Sequence, residues 1–367
     1  MCIRDSSHGV NTGEVQKDDI IGQPVLPEQL RTLPELMKAA GYATYGATEN
    51  GHLSAQFGFG RGFDGYWNGF FVNNPEAPKK IVELTANSGP GPKFLWIHLF
   101  TPHSPYHAQE PWATQWAEEA GVSEDIVPTL DMAESYSSYH YKKDGPELKA
   151  LVARYDSEIR ASDEAIARAL KQLDPNDEAM LVVTADHGEE FLEHDNFGHR
   201  THYPEVIEIP LLVRYPNRRG AGTTSTRLAS LLDVGPTILR EAGVEVPIAW
   251  QGTPLQDLQE SAGIPDNRKL LFYTASWQNA KLQSLRDRSH ILHAFFRASS
   301  ISELLFDLSQ DPKQIGTPLV QPNTLSALQN AMKKMAAAYS AEMKDAPRPS
   351  ILSKEQAERL RTLGYLN

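Results

Sequence analysis

Three apolar runs of strand length constrain this chain most. They are Lys93 to Phe100, Ala179 to Thr184 and Ile209 to Arg214, each too short for a helix and each closed by a polar loop. Helical patterns lie between and around them. Thr32 to Gly41 has a capping residue, a proline in the first turn, helix formers and a terminating glycine. Tyr42 to Thr48 reads as a strand, and Gly145 to Leu173 as a long helix with Leu151, Tyr155, Ile159 and Ile166 on one side. Thr226 to Glu241 reads as an amphipathic helix ending at Gly243. Strands alternating with helices predict an α/β fold, a mostly parallel central sheet sandwiched by helices.

After about residue 265 the pattern changes. Leu270 to Thr274, Lys281 to Arg286, His290 to Phe296 and Leu304 to Leu308 are strands at hairpin-like spacing, and they predict a small antiparallel sheet. Helices are expected over Thr324 to Met343 and Ser353 to Leu363, the latter opening on Ser353 and Gln356. The polar stretch from Glu110 to Asp144 reads as a lid or insertion. Met1 to Ser6 has neither an apolar core nor alternation, and resembles an adapter-derived translation. The expected organisation is therefore a non-native leader over 1–6, an α/β domain over 7–264 that is incomplete at its N-terminus, and a small C-terminal α+β subdomain over 265–367.

Hydrophobic residues make up 40% of the 367 and charged residues 22%, which excludes a mainly disordered, collagen-like or coiled-coil chain. No apolar run approaches the ~18–20 residues that span a bilayer. The formal net charge is −12 and no block of five or more Lys/Arg occurs, which argues against a nucleic-acid partner. An acidic protein handling an anionic substrate must concentrate positive charge at its site, from a metal or from clustered His and Arg. The single cysteine excludes an internal disulfide and leaves a periplasmic or secreted location open.

Of the 12 histidines, seven fall in two windows, 98–107 and 187–202, each beginning in or just after an apolar run. Ligands of open α/β sheets bind outside the carboxyl ends of the strands, so the two windows predict one shared polar site. Asp186 and His187, at the end of Val182-Val183-Thr184, can ligate a divalent ion through a carboxylate oxygen and a ring nitrogen. A plain Asp–His hydrogen bond is the alternative. Glu189, Glu190 and His194 read as a solvated loop, and His98 as a core histidine. A cationic His199 can contact an anionic substrate or protonate a leaving group, the alternative being a surface loop. His103 sits in Thr101-Pro102-His103-Ser104-Pro105, where two prolines stiffen its aim.

These residues resemble the sulfatases of the alkaline-phosphatase-like superfamily. Ser7-His8-Gly9-Val10 is similar to the family's HGV tag, and Thr32 to Glu35 with Ala40-Gly41-Tyr42 to its TLAE…AGY segment. Asn50-Gly51-His52 with Arg61-Gly62-Phe63-Asp64 resembles the loop whose histidine faces substrate. Phe94 to Tyr106 resembles F-WVH-F-PH-PY, and Thr184 to Pro210 the ADHGE…GHG…YDE…VP block. Leu231 to Thr237, Leu305 to Leu308 and Leu360 to Leu366 continue the series in the family's order.

The resemblance implies a sulfuric ester hydrolase acting on small-molecule or glycan sulfate esters. Its nucleophile would be a formylglycine hydrate made from a C/S-x-P-S/A-x-R motif. Its divalent metal would be calcium, with manganese or magnesium as alternatives. Asp186 and His187 match the second half of the metal site. His103, His199 and His52 match substrate-side positions, with Glu49-Asn50 where a lysine is usual. The nucleophile motif and the first two carboxylate ligands belong upstream of the HGV tag. Cys2 does not replace the nucleophile, because Arg4 and Ser6 stand where Pro and Arg are required. The expectation is a truncated and inactive sulfatase. A phosphate or phosphonate ester hydrolase of the same superfamily and a non-catalytic sulfated-ligand binder remain as alternatives.

Overall fold

The computed structural model describes residues 15–17, 20–69, 75–123, 126, 141–258, 270–277, 280–297, 299–342 and 349–351. The expected leader, the HGV tag, most of the 110–144 stretch beyond residue 123 and the helix over 353–363 lie outside the described residues. The chain divides into two units, one drawn from Glu14–Glu178 with Pro347–Asn367, the other from Ala179–Ala346 with the first 13 residues. Among the described residues no helix is long and apolar enough to cross a membrane.

In the first unit, strands β1 (Val15–Lys17), β2 (Ile20–Pro24) and β14 (Pro349–Ile351) form an antiparallel sheet in the order β1-β2-β14. Helix α1 (Leu33–Ala39) starts where the sequence marks it. Thr32 Oγ1 accepts from the Glu35 amide, and the Glu35 carboxylate accepts from the Thr32 amide at 2.7 Å, a reciprocal capping box. Gly62, at φ +84°, lies so close to Glu35 that a Cβ would stand 2.3 Å from its backbone nitrogen, so only glycine fits.

A parallel sheet follows, β4 (Gly65–Asn68), β3 (Ala43–Thr48) and β5 (Lys93–His98), in the order β4-β3-β5. Helix α2 (Ala77–Thr85) covers it through Ala77 and Ile81, which pack with Ala47, Trp67, Leu95 and Ile97. Helix α3 is Trp112–Glu119, and α4 is Pro146–Leu173.

The buried face of α4 corrects the sequence reading. Leu151 is buried as expected, but Ile159 is 43% exposed. The buried positions include Ser157, Glu158, Ser162, Ala165 and Ala169. Small and polar residues lie inward because this face receives a polar loop as well as apolar side chains.

In the second unit, β6 (Leu181–Thr184) and β9 (Leu211–Arg214) are the two remaining apolar runs, and they pair antiparallel. Between them lie a short hairpin, β7 (Glu190–Phe191) with β8 (Phe197–Gly198), and one turn of helix, α5 (Pro204–Ile207).

The expected helix over Thr226 to Glu241 is present only as α6 (Val234–Glu241), behind a tight turn at Leu231–Asp233. Pro236 has no N–H to give to the Leu232 carbonyl, so an α-helix cannot run through from the N-terminal side. Ser230 and Asp233 cap the turn instead. Strands β10 (Leu271–Trp277), β11 (Ala280–Arg286), β12 (His290–Arg297) and β13 (Ser300–Asp307) form the expected antiparallel sheet as a meander. Helix α7 (Pro322–Glu342) closes a core of Leu285, Leu292, Leu305, Leu328 and Met332. Val206 and Ile207 of α5 pack with Ile291 and Phe306.

Candidate active site

The Asp186–His187 turn follows β6. His187 Nδ1 lies 2.8 Å from the Gly188 carbonyl, which can only accept, so the proton is on Nδ1 and Nε2 carries the lone pair. That nitrogen is 3.8 Å from Asp186 Oδ1, on a carboxylate whose side chain is 39% exposed. A backbone carbonyl fixing the tautomer of a histidine beside an accessible carboxylate is the donor chemistry a divalent ion uses. Among the described residues no group of three or more His, Cys, Asp or Glu is placed to hold a metal ion, and this pair offers two donors. Gly188 is pressed against α5. Its amide donates to the Val206 carbonyl at 2.8 Å, and a Cβ would stand 2.0 Å from the Glu205 oxygen.

His199 joins this group. Its ring stacks on His187 with centroids 4.0 Å apart, and its Nδ1 is 3.0 Å from Glu189 Oε1. Burial first, then the His187 ring, holds the His199 pKa well below the ordinary histidine range, which favours a neutral ring over the expected cation.

The acidic pair is also not a solvated loop. Glu190 is fully buried, and its carboxylate accepts from Thr201 Oγ1 at 2.9 Å and from the His194 amide at 3.1 Å. His194 Nδ1 stands 3.5 Å from both Glu190 Oε1 and Glu205 Oε2. The β7–β8 hairpin folds the acidic residues inward, where these partners satisfy them.

The other histidine window belongs to the first unit. Strands β3 and β5 are parallel neighbours with Thr48 opposite His98, so the loops after them leave the same carboxyl edge of the sheet. His52 lies on the first loop, its amide donating to Asn50 Oδ1 at 2.9 Å. Asn68 Nδ2 donates to the Asn50 carbonyl at 2.8 Å. On the second loop His103 stacks on Phe100 at 4.6 Å, and its Nδ1 donates to the Ser104 carbonyl at 2.6 Å. Nε2 is therefore the nitrogen of His103 that exchanges a proton. His98 packs its ring against Trp96, with centroids 5.8 Å apart.

Two carboxylates that the sequence reading did not single out as functional hold this edge. Glu49, fully buried, follows β3 directly. Its Oε1 accepts from the Ala77 amide at 2.8 Å and its Oε2 from the Phe100 amide at 2.9 Å, tying α2 to the base of the His103 loop.

The second carboxylate, Glu158 of α4, accepts from the His107 amide at 2.9 Å. Ser157 Oγ accepts from the Gln109 amide at 3.2 Å, and Ser162 Oγ lies 3.0 Å from Thr101 Oγ1. Three polar side chains of one helix face thus hold the loop on both sides of His103. Burial pushes the Glu158 carboxyl well above the usual carboxylate range, against the pull of the His107 amide. Glu158→Ala should leave that amide without its acceptor and cost about 1–3 kcal/mol, while Glu158→Gln, which keeps an acceptor, should cost less. Denaturant unfolding of the two variants checks this, and equal losses would contradict it.

The parallel β4-β3-β5 sheet, with its polar loops at the carboxyl edge, defines the class as an α/β protein that carries polar side chains beyond its strand ends. The sulfatase family model matches residues 4–244, and the chain belongs to the sulfatase family. The C-terminal model of N-sulphoglucosamine sulphohydrolase matches residues 192–342. An N-acetylglucosamine-6-O-sulfatase of Bacteroides thetaiotaomicron is 31% identical over 209 residues, covering 52% of this chain and 37% of that protein. Arylsulfatase K of Xenopus laevis is 26% identical over 276 residues, covering 66% and 51%. The chain thus spans about half of the length of the second relative and less of the first.

Among solved structures, one in complex with its substrate D-glucosamine-2-N,6-O-disulfate has a TM-score of 0.67 at 20% identity, covering 93% of this chain and 89% of that one. The phosphonate monoester hydrolase of Agrobacterium radiobacter has a TM-score of 0.65 at 17% identity, covering 96% and 91%. At these identities the likeness shows the fold, which is that of the alkaline-phosphatase-like sulfatases.

Proposed function

We propose that this protein is a sulfuric ester hydrolase, or part of one, for sulfated glucosamine units. The sulfatase match across residues 4–244 carries the reading, because it spans every candidate site residue from His52 to His199. Two findings support the sugar. One is the match of residues 192–342 to the C-terminal region of N-sulphoglucosamine sulphohydrolase, and the other is the 31% identity to an N-acetylglucosamine-6-O-sulfatase.

In this reading Asp186 Oδ1 and His187 Nε2 hold a divalent cation, calcium in first place, with manganese or magnesium as alternatives. The bound ion supplies charge neutralisation at the sulfate oxygens. His199, held by Glu189, contacts the same oxygens. His103 carries a proton at Nε2 to or from the ester oxygen, its ring fixed by Phe100 and the Ser104 carbonyl. His52 contacts the substrate from the neighbouring loop. The 367 residues contain no C/S-x-P-S/A-x-R motif, so the covalent step is assigned to no residue here, and the chain by itself binds without turnover.

The test uses the chain as it is. An aryl sulfate with calcium should give background only. Glucosamine 6-sulfate should bind in calorimetry. Asp186→Ala should lose calcium in elemental analysis, because the site forfeits its charged ligand. His199→Ala should keep calcium yet weaken sugar binding. Loss of calcium in both variants would make His199 a ligand. Absence of any sulfated-sugar binding would remove the reading.

A further inference from the structure

The loop carrying His199 is tied to the C-terminal sheet by a line of buried polar groups that the reaction above does not use. His202 Nδ1 lies 2.8 Å from Ser284 Oγ on β11, and Ser284 Oγ lies 2.7 Å from His293 Nδ1 on β12. His293 Nε2 lies 2.6 Å from Gln314 Oε1. Ser284 and His293 are directly opposite each other in the β11–β12 ladder, so their side chains leave the same face of the sheet. All four residues are at most 2% exposed.

The hydrogens in this line have one consistent arrangement. The Gln314 oxygen can only accept, so His293 carries its proton on Nε2 and presents a lone pair at Nδ1. The Ser284 hydroxyl must then donate to His293, which leaves its oxygen to accept from His202 Nδ1–H. A serine has one hydrogen to give, and this arrangement uses it. Among the described residues His202 Nε2 has no hydrogen-bond partner, so Ser284 is the one hydrogen bond that orients this ring.

We propose that Ser284 is a positioning residue for His199: its hydroxyl fixes His202, and through it the Gly198–Tyr203 segment on which His199 sits. Other contacts hold the segment as well, among them the Glu189 carboxylate and the His187 ring on His199 itself. Thr201 is held by Glu190, and the Tyr203 ring stacks on His194 with centroids 3.7 Å apart. Both of those ties come from the hairpin next to the segment. From the meander, far along the chain, come ring contacts of His202 with Tyr273 and of Tyr203 with His293, and the hydrogen bond of Ser284, which is the directional one. The C-terminal sheet therefore takes part in aiming His199 without touching a ligand. The claim rests on the proposed role of His199 only for its consequence in binding; the positioning itself has its own readout.

The experiment is solution NMR of the full chain with labelled histidine side chains, alongside amide hydrogen exchange and calorimetry with glucosamine 6-sulfate. The parent should show His202 protonated on Nδ1 and His293 on Nε2. In Ser284→Ala the His202 tautomer should no longer be fixed, and the His199 ring signals should shift. Amide exchange over Gly198–Tyr203 should rise roughly tenfold, as expected for one lost buried hydrogen bond. Ser284→Thr, which keeps the hydroxyl, should restore the tautomer and the His199 signals.

Gln314→Leu breaks the far end of the line without changing a residue of the sheet, and should give the same shifts in weaker form even where Ser284→Ala does not fold. Unchanged His199 signals and unchanged loop exchange in a folded Ser284→Ala or Gln314→Leu protein would overturn the proposal. A loosened loop in a chain whose parent never binds the sugar would uphold the positioning role and remove the substrate reading.

Discussion

Glu49→Ala should destabilise the protein by about 2–6 kcal/mol, because two backbone donors, Ala77 N–H and Phe100 N–H, would each lose their acceptor in a dry environment. Glu49→Gln should fall between parent and alanine variant. The amide has one carbonyl oxygen for two facing donors, so one N–H remains unpaired. The parent should also show a pH signature that both variants lack. Burial raises the Glu49 pKa from 4.5 to about 7, the amides of Ala77 and Phe100 pulling the other way.

A folded-state pKa above the unfolded one means that the folded protein prefers the protonated acid. The associated stability is fully present below pH 4.5 and is lost as pH rises through about 7. The whole shift corresponds to about 3 kcal/mol. Denaturant unfolding of parent and variants at intervals from pH 4.5 to 8.5 would show it. A parent-minus-alanine difference that does not shrink with rising pH would refute it.

Glu49 also shows where sequence reasoning stops. The strands were legible because apolar runs of that length have few other uses, and α1 was legible because Thr32, Pro34 and Gly41 each mark a helix end by local chemistry. The Asp186–His187 turn and its approach to His199 followed from the same logic of strand ends. Glu49 stood only as a residue replacing a lysine. Its partners, at positions 77 and 100, are brought to it by the parallel pairing of β3 with β5 and by the packing of α2, which no local pattern announces.

Glu189 and Glu190 read as solvated for a related reason. Adjacent acids usually face water, and what buries these two is a hairpin only two residues long on each side. The α4 face was misassigned because apolar spacing marks only helices that bury apolar surface. Ser157, Glu158 and Ser162 are inside because the His103 loop brings backbone donors and a hydroxyl to meet them.

The second large effect has the opposite sign and lies in the other unit. Burial lowers the pKa of His202 from 6.5 to about 3, with the His293 ring adding to it. Burial lowers His293 to about 4, the Gln314 carbonyl opposing and His194 reinforcing the shift. Among the described residues no compensating anion is in direct contact with either ring. His202 meets the Ser284 hydroxyl and the Tyr273 ring; His293 meets Ser284, Gln314 and the rings of Tyr203, Phe295 and Phe306.

Both rings fold neutral, so unfolding takes up protons once the pH falls below 6.5. The stability they hold is intact above pH 6.5 and declines as pH falls through about 4 and then about 3. The shifts correspond to about 3 kcal/mol for His293 and about 5 kcal/mol for His202 as upper bounds. The Ala179–Ala346 unit should therefore weaken toward acid, where the Glu49 site is at its strongest. Following tryptophan emission and far-ultraviolet dichroism in denaturant from pH 7.5 to 4 would resolve this. His293→Gln should start less stable at pH 7.5 yet lose less on acidification than the parent. A variant with the parent's full acid slope would show that the proton uptake belongs to other groups. It would also show that the buried line from His202 to Gln314 tolerates a charge, which its geometry, with every hydrogen already committed, gives no means of doing.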